Sequence, residues 1–350
     1  MQATFIQHVQ QRVLLFYSPN FRHVAREVQS TAPEHIELGS MRLKDGKWPT
    51  FADGWPNLFI DDHSDIMRRD VVFLASLDEP ERVFEELAVI FALSKYRARN
   101  YKVIVPWFPT GTMERISEPG EIATASTMAR LLSAIPPCAT GPAVLSIIDI
   151  HALQEQFYFG DGVLVELKTA MGLLFPHVRP DDVIAFPDDG AQKRYKGVFQ
   201  KLFRKQWSED LHSNYEAYCE SRMVVCAKQR RGDERIVVVK EGWENIQGKR
   251  IIIVDDMVQS GGTIIKCAQV MRTMGAETIN AFVTHGVFPN ESWRRFLSDD
   301  VDHFFVTDSL PQNVRLQMAP EKFTLLSIAS IVGYLALDTK NTAYDAMIES

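Results

Sequence analysis

The stretch Arg250-Ile-Ile-Ile-Val-Asp-Asp-Met-Val-Gln-Ser-Gly-Gly-Thr263 sets the reading of the chain. Ile251–Val254 is an unbroken apolar run, as expected of a strand covered on both faces. It leads straight into Asp255-Asp256, and a short loop ends in Ser260-Gly261-Gly262-Thr263. From Thr263 to Met274 the period becomes helical, with Ile264, Ile265, Ala268, Met271 and Met274 on one side and Gly275 as the stop. Ile279–Val283 then resumes as strand, completing a strand–loop–helix–strand unit of a parallel sheet. The loop has the make-up of a phosphate nest. Two glycines let backbone N–H groups close on an anion, Ser260 and Thr263 add hydroxyl donors, and a helix N-terminus faces the charge. Carboxylates repel phosphate, so Asp255 and Asp256 suit neutral hydroxyls, and a sugar phosphate answers both requirements. The plainer reading is a strand–turn–helix with a Ser/Thr cap and acidic residues exposed at a strand end.

Outward from this unit, short apolar runs alternate with helical periods, which predicts a mostly parallel α/β architecture. Strands are expected at Val13–Tyr17, Val71–Ala75, Lys102–Pro106, Val144–Ile150, Asp182–Phe186 and Met223–Ala227. Helices are expected around Phe21–Val28, Arg82–Ala98, Ile122–Ala134, Ala191–Trp207 and Phe323–Leu337. Two halves of similar make-up fit either a duplication or one sheet per domain. Lys196–Arg222 reads as a long helix plus an irregular excursion.

The 350 residues are 46% apolar, 24% charged and 10% aromatic, which excludes disorder, collagen and coiled coil as the main architecture. At roughly 100–200 residues per domain, two domains are expected. The net charge of −7 and a pI near 5.8 make a poor sequence-independent nucleic-acid binder. No apolar run approaches the ~18 residues of a membrane span. The opening Met1-Gln-Ala-Thr-Phe-Ile-Gln-His8 lacks the basic flank and apolar core of a secretory signal. Cys138, Cys219, Cys226 and Cys267 form no CxxC pair, so free thiols and a cytoplasmic location are expected.

Val254-Asp-Asp-Met-Val-Gln-Ser-Gly-Gly-Thr263 resembles the 5-phosphoribosyl-1-diphosphate (PRPP) loop of type I phosphoribosyltransferase-fold proteins. Phe51-Ala-Asp-Gly54, Pro106-Trp-Phe-Pro109, Asp149-Ile-His151-Ala152, Pro187-Asp188, Lys193-Arg194, Lys228-Gln-Arg230 and Thr284-His-Gly-Val-Phe288 narrow the resemblance to ribose-phosphate diphosphokinase, or PRPP synthetase. These segments keep family order over roughly residues 50–335. Val258-Gln-Ser-Gly-Gly262, Phe108-Pro-Thr-Gly-Thr-Met-Glu-Arg115 and Gln154-Glu-Gln-Phe-Tyr-Phe-Gly160 are similar to the plant-type, phosphate-independent class II branch. The resemblance implies an α/β fold of two type I phosphoribosyltransferase-like domains, each a mostly parallel sheet flanked by helices. The expected domains are 1–168, completed by a C-terminal helix at 322–340, and 169–321 with the ribose 5-phosphate loop. It also implies transfer of the β,γ-diphosphoryl group of ATP to ribose 5-phosphate, Mg²⁺ as cofactor, and a homo-oligomer, dimer or hexamer.

Site residues follow position by position. Asp255, Asp256, Gln259, Ser260, Gly261, Gly262 and Thr263 would bind ribose 5-phosphate. Period-two geometry at a strand end would place Asp149 and His151 on one face, where such residues hold Mg²⁺ or simply a hydrogen-bonded pair. The resemblance assigns His151 to the metal and ATP, with Asp188 as a second acidic metal contact. Lys228 and Arg230, two apart in an extended segment, would point the same way; they form either a solvated basic turn or cations for a transferring phosphoryl group. The resemblance assigns both to a catalytic flap over ATP. By the same resemblance Phe51 and Asp53 lie in an adenine-binding loop that reaches across a subunit boundary, while Thr112, Glu114 and Arg115 lie beside ATP. Trp55 replaces the usual acidic residue after Gly54, Thr112-Met113-Glu114 replaces Arg-Gln-Asp, and Gln259 stands where many members carry Asp.

Gly242-Trp-Glu-Asn-Ile-Gln-Gly248-Lys249 has one residue too many for a Walker A loop and precedes a strand. Two rivals remain: a phosphoribosyltransferase that consumes PRPP, and a non-catalytic regulatory subunit of the same fold. The first has no need of Phe51–Gly54, His151 and Lys228/Arg230 together; the second typically loses charged site residues, all of which are present here.

Overall fold

Strands covered by helices on both sides need apolar residues on both faces, and β-branched runs supply them here. The computed structural model describes residues 12–207, 214–231 and 234–337, and of residues 230–235 the backbone alone where it is described. The opening residues 1–8, residues 208–213 of the excursion, residues 232–233 of the basic turn and residues 338–340 of the expected C-terminal helix lie outside them.

The first unit runs to Lys168 and takes in a helix from Ala329. In chain order it contains β1 (Val13–Tyr17), α1 (Arg22–Thr31), β2 (Ile36–Leu38), β3 (Asp70–Leu74), α2 (Val83–Lys95), β4 (Asn100–Val105), α3 (Thr124–Ser133), β5 (Ala143–Ile148) and β6 (Val163–Lys168). The six strands form one parallel sheet in the order β2-β1-β3-β4-β5-β6. Leu14, Phe16, Phe73, Val103 and Leu145 pack with Val89, Leu93 and Met128 of α2 and α3.

The second unit, Thr169–Ile328, contains β7 (Val183–Phe186), α4 (Asp189–Gln206), α5 (Tyr215–Glu220), β8 (Met223–Arg231), β9 (Glu234–Glu241), β10 (Arg250–Val258), α6 (Gly262–Thr273), β11 (Thr278–Gly286), β12 (His303–Thr307) and β13 (Phe323–Leu326). Its seven strands run β13-β12-β11-β10-β7-β8-β9, all parallel except the β8–β9 pair. Alternate residues of β10 feed two cores. Ile251 and Ile253 face Ile264, Cys267 and Met271 of α6, while Ile252 and Val254 face the layer of Tyr195, Phe199 and Phe203 of α4. This two-sided burial explains the apolar run in the sequence.

Three expectations change. The Ile251–Val254 strand continues through Asp255 and Asp256 to Val258, paired with β11 as far as Gly286. Phe323–Leu337 is not one helix: Phe323–Leu326 is β13, paired with β12, and the helix α7 begins at Ala329 and ends at Leu337. Lys102 Nζ donates to the carbonyl of Leu335 at 3.0 Å, a cation at the C-terminal end of α7. β5 stops at Ile148, and Asp149 adopts a left-handed φ of 44°, so the period-two argument for Asp149 and His151 fails. Asp149 is buried, whereas His151 is exposed.

Candidate functional site

In open α/β sheets, ligands sit beyond the carboxyl ends of the strands where the winding reverses direction. In the second unit that point lies between β7 and β10. Asp188 follows β7, and Asp255 and Asp256 occupy the last turn of pleat in β10. Asp188 caps α4: Oδ1 accepts from the N–H groups of Gly190 and Ala191 at 3.1 and 3.0 Å. Its Oδ2 accepts from Lys228 Nζ of β8 at 2.8 Å. Burial opposes the Asp188 charge, but Lys228 and the two N–H groups outweigh it and hold the carboxyl below its ordinary range. Burial likewise opposes the Lys228 ammonium, yet its bond to Asp188, helped by Asp255, raises its pKa.

Asp255 behaves oppositely. Burial, then repulsion from Asp256 and Asp188, pushes its carboxyl well above the usual range. A carboxyl biased toward its neutral form can donate as well as accept a hydrogen bond, a property that suits hydroxyl partners. Arg194 of α4, whose guanidinium is 4.0 Å from Asp256 Oδ2, balances that side of the pair. The sequence displays Lys193-Arg194, but its contact with Asp256 depends on α4 packing over β10.

The loop after β10 is tight. Gly261 is left-handed at φ 79° and precedes α6, which no side chain caps at its N-terminus. A Cβ on Gly261 would sit 2.6 Å from the Phe296 ring. Gly262 differs: a Cβ there would meet nothing nearer than Ser260 Oγ at 3.7 Å. Gly262 opens α6, whose first-turn N–H groups no side chain caps. Ser292 Oγ and Arg295 Nη1 each donate to a loop carbonyl, of Gln259 and Ser260, both at 2.6 Å. Neither residue stands out in the sequence, because their partners are backbone atoms more than thirty residues away.

Lys228 and Arg230 lie in a β-hairpin, in register with Val237 and Arg235 of β9. The extended geometry expected of them holds, and β8 is longer than the apolar run Met223–Ala227 suggests.

In the first unit, Phe51 and Asp53 occupy a hairpin tip. Thr50 pairs with Pro56, Phe51 N–H donates to Trp55 carbonyl at 2.8 Å, and Asp53 Oδ1 accepts from Trp55 N–H at 3.2 Å. Phe51 is 55% exposed; Trp55 packs edge-on against Phe84 of α2 with centroids 5.3 Å apart. Thr112, Glu114 and Arg115 follow β4 in a separate loop. Tyr158 OH donates to the carbonyl of Glu114, and a Cβ on Gly111 would lie 3.3 Å from the His151 Cβ, so this loop and His151 are neighbours. Glu114 and Arg115 approach to 3.6 Å. Tyr158 was not singled out by the sequence, although it stands in the quoted Gln154–Gly160 segment.

Among the described residues no three His, Cys, Asp or Glu side chains form a metal cage. Mg²⁺ needs none when phosphate oxygens and water fill most of its octahedron, and one or two protein contacts then suffice. Asp188, just after β7, is of the acidic type that makes such a contact, and His151 of the first unit is exposed.

Two wound α/β units, each a mostly parallel sheet flanked by helices, with a glycine-turned loop and an uncapped helix after the paired acids of the second, define the class of protein. Residues 217–335 match the family described as the phosphoribosyl synthetase-associated domain. The chain is 41% identical over 333 residues to ribose-phosphate pyrophosphokinase 3, mitochondrial, of Spinacia oleracea, covering 92% of this chain and 75% of that one. It is 43% identical to ribose-phosphate pyrophosphokinase 4 of Oryza sativa subsp. japonica, with 92% and 94% covered. The crystal structure of phosphoribosylpyrophosphate synthetase from Mycobacterium smegmatis has the same fold, with TM-score 0.69 at 22% identity over 93% of this chain and 98% of that one. The chain belongs to the ribose-phosphate pyrophosphokinase family, and plant members of it are 41–43% identical to this chain.

Proposed function

We propose that the chain transfers the β,γ-diphosphoryl group of ATP to the 1-hydroxyl of ribose 5-phosphate, giving PRPP and AMP for nucleotide synthesis. The observation that carries this reading is the cup at the β10–α6 junction. It has an uncapped helix N-terminus, open space where Gly262 lacks a Cβ, and Asp255 and Asp256 at the adjoining strand end. Ser260, Gly261, Gly262 and Thr263 take the 5-phosphate through N–H and hydroxyl donors, with Gln259 at the rim. Asp255 and Asp256 hold the ribose hydroxyls. The 1-hydroxyl oxygen attacks the β-phosphorus and its proton passes to solvent, while the bond from the β-phosphorus to the bridging oxygen breaks and AMP leaves carrying that oxygen. Lys228 and Arg230 bring positive charge to the transferring oxygens, the demand such transfers make on a protein. Lys228, held by Asp188 at 2.8 Å, exchanges that partner for a phosphoryl oxygen. Phe51 stacks on the base, Asp53 keeps the hairpin tip in shape, and Thr112, Glu114, Arg115 and His151 border the triphosphate. Asp188 and His151 are the residues proposed to contact Mg²⁺, which would supply charge neutralisation on the polyphosphate. The exposed Phe51, Trp55 and Phe84 favour a homo-oligomer. No helix among the described residues is long and apolar enough to cross a membrane, and four free thiols suit a reducing compartment, which we take to be the cytoplasm.

The purified chain, given ATP, Mg²⁺ and ribose 5-phosphate, is expected to release AMP and PRPP in equal amounts, followed by mass spectrometry. Consumption of PRPP with pyrophosphate release would replace this reading with a phosphoribosyltransferase. AMP formation only after addition of a partner subunit would make the chain regulatory.

A further inference from the structure

We propose that Ser292 and Arg295 are positioning residues for the phosphate cup: they turn the Gln259 and Ser260 carbonyls outward so that the following N–H groups face the 5-phosphate. This rests on the ribose 5-phosphate reading above. A peptide plane carries its C=O and N–H on opposite sides, so fixing one fixes the other. In an extended strand successive carbonyls alternate in direction. Here three successive carbonyls are all bound by one segment. Val258 accepts from the Val287 N–H at 3.0 Å, Gln259 from Ser292 Oγ at 2.6 Å, and Ser260 from Arg295 Nη1 at 2.6 Å. The backbone therefore curls, with its carbonyls gathered on the bracing side and the N–H groups of Ser260 and Gly261 left for the other. Convergent N–H groups of this kind make an anion nest.

The bracing segment is itself rigidly held. Phe288, Asn290 and Glu291 have left-handed φ values of 45°, 52° and 56°, which non-glycine residues adopt only where surrounding structure enforces them. The enforcement comes from Phe288, buried against Phe296 and Phe304 with centroids 6.1 and 6.0 Å away. Phe296 in turn lies directly beneath Gly261, where a Cβ would come within 2.6 Å of the ring. One segment thus grips the stretch at three carbonyls and one α-carbon. The donors are a neutral hydroxyl and an exposed guanidinium, neither of which has to touch the phosphate to shape its site.

The test uses the full chain with Mg²⁺ and α,β-methylene ATP present, and measures ribose 5-phosphate binding calorimetrically in Ser292→Ala, Ser292→Thr, Arg295→Ala and Arg295→Lys. Each alanine variant is expected to weaken ribose 5-phosphate binding about tenfold, the loss of one well-placed hydrogen bond that orients others. Ser292→Thr keeps the hydroxyl and is expected to restore affinity; Arg295→Lys, with a shorter reach, restores part. In steady-state assays the KM for ribose 5-phosphate rises while the KM for ATP holds, and Tm stays within a degree or so of the parent because Arg295 is exposed. Unchanged ribose 5-phosphate affinity in both alanine variants would overturn the positioning role and leave the proposed activity standing. Equal losses for ATP and ribose 5-phosphate with a lowered Tm would also overturn it, marking a merely structural contact. Failure of the parent chain to bind ribose 5-phosphate would overturn both.

Discussion

Lys228 and Asp188 shift each other's ionisation in opposite directions through one 2.8 Å contact. Asp188 is ionised well below neutrality and Lys228 is charged well above it, so the pair stays intact throughout the physiological range. The stabilisation tied to Asp188 is lost as pH falls through its lowered pKa; that tied to Lys228 is lost as pH rises through its raised one. Lys228→Ala is expected to lower kcat by about two orders of magnitude or more while the KM for ribose 5-phosphate changes little; an unchanged kcat would remove Lys228 from the chemistry. Glu86, outside the site, gives a different pH signature. Burial pushes its carboxyl up to about 8, against the donors Ser18 and Ser76 and the nearby Arg82, with Asp78 adding to the rise. Between the ordinary value of 4.5 and that folded value the native chain holds a proton that the unfolded chain releases. Stability from this group is full at low pH and declines as pH climbs toward 8. Glu86→Gln is therefore expected to raise Tm at pH 8 and to match the parent near pH 5, in thermal melts at both values. The acidic and basic character of these positions can be read in the sequence, but their neighbours cannot. Asp149 shows the difference: its strand-like context promises extended geometry, yet the residue is buried with a left-handed backbone.

The β10–α6 junction was readable because each local signal agreed: a β-branched run, paired acids, two glycines and an amphipathic helix. The two glycines have different jobs. Gly261→Ala adds a Cβ against the Phe296 ring and forces an L-residue to φ 79°, about 1–2 kcal/mol for the backbone alone. Gly262→Ala adds a Cβ into open space. Gly261→Ala is expected to lower Tm by several degrees, whereas Gly262→Ala should leave Tm unchanged and still raise the KM for ribose 5-phosphate. A Tm loss in Gly262→Ala would mean that this glycine serves the fold instead of the ligand. Elsewhere local signals were insufficient. Phe323-Thr-Leu-Leu326 is a short apolar stretch whose period fits a helix or a strand, and only its pairing with β12 makes it β13. β9 went unread although Ile236–Val239 is β-branched, because its flanks are charged and its partner β8 extends into Lys228-Gln-Arg230, which resembles a basic turn.

Both units follow one winding. Read from its other edge, the second sheet runs β9-β8-β7-β10-β11-β12-β13, which is the first sheet's order with one antiparallel edge strand added. The similar make-up of the two sequence halves thus corresponds to two copies of one topology, each with its own sheet. The added strand is β9, partner of the strand that carries Lys228 and Arg230. The copies diverge where chemistry is expected. After β10 comes Gln259-Ser-Gly-Gly262; after the corresponding β3 comes Ala75-Ser-Leu-Asp-Glu79, with acids and no glycine pair. The glycine-turned loop proposed to take the phosphate therefore occurs at this position in the second unit and not in the first. The most direct measurement is a crystal structure of the chain soaked with ribose 5-phosphate. The expected density places the phosphate within hydrogen-bonding distance of the N–H groups of residues 260–263 and the ring hydroxyls beside Asp255 and Asp256. Density for the sugar elsewhere, with the space above Gly262 filled by the protein's own side chains, would contradict it.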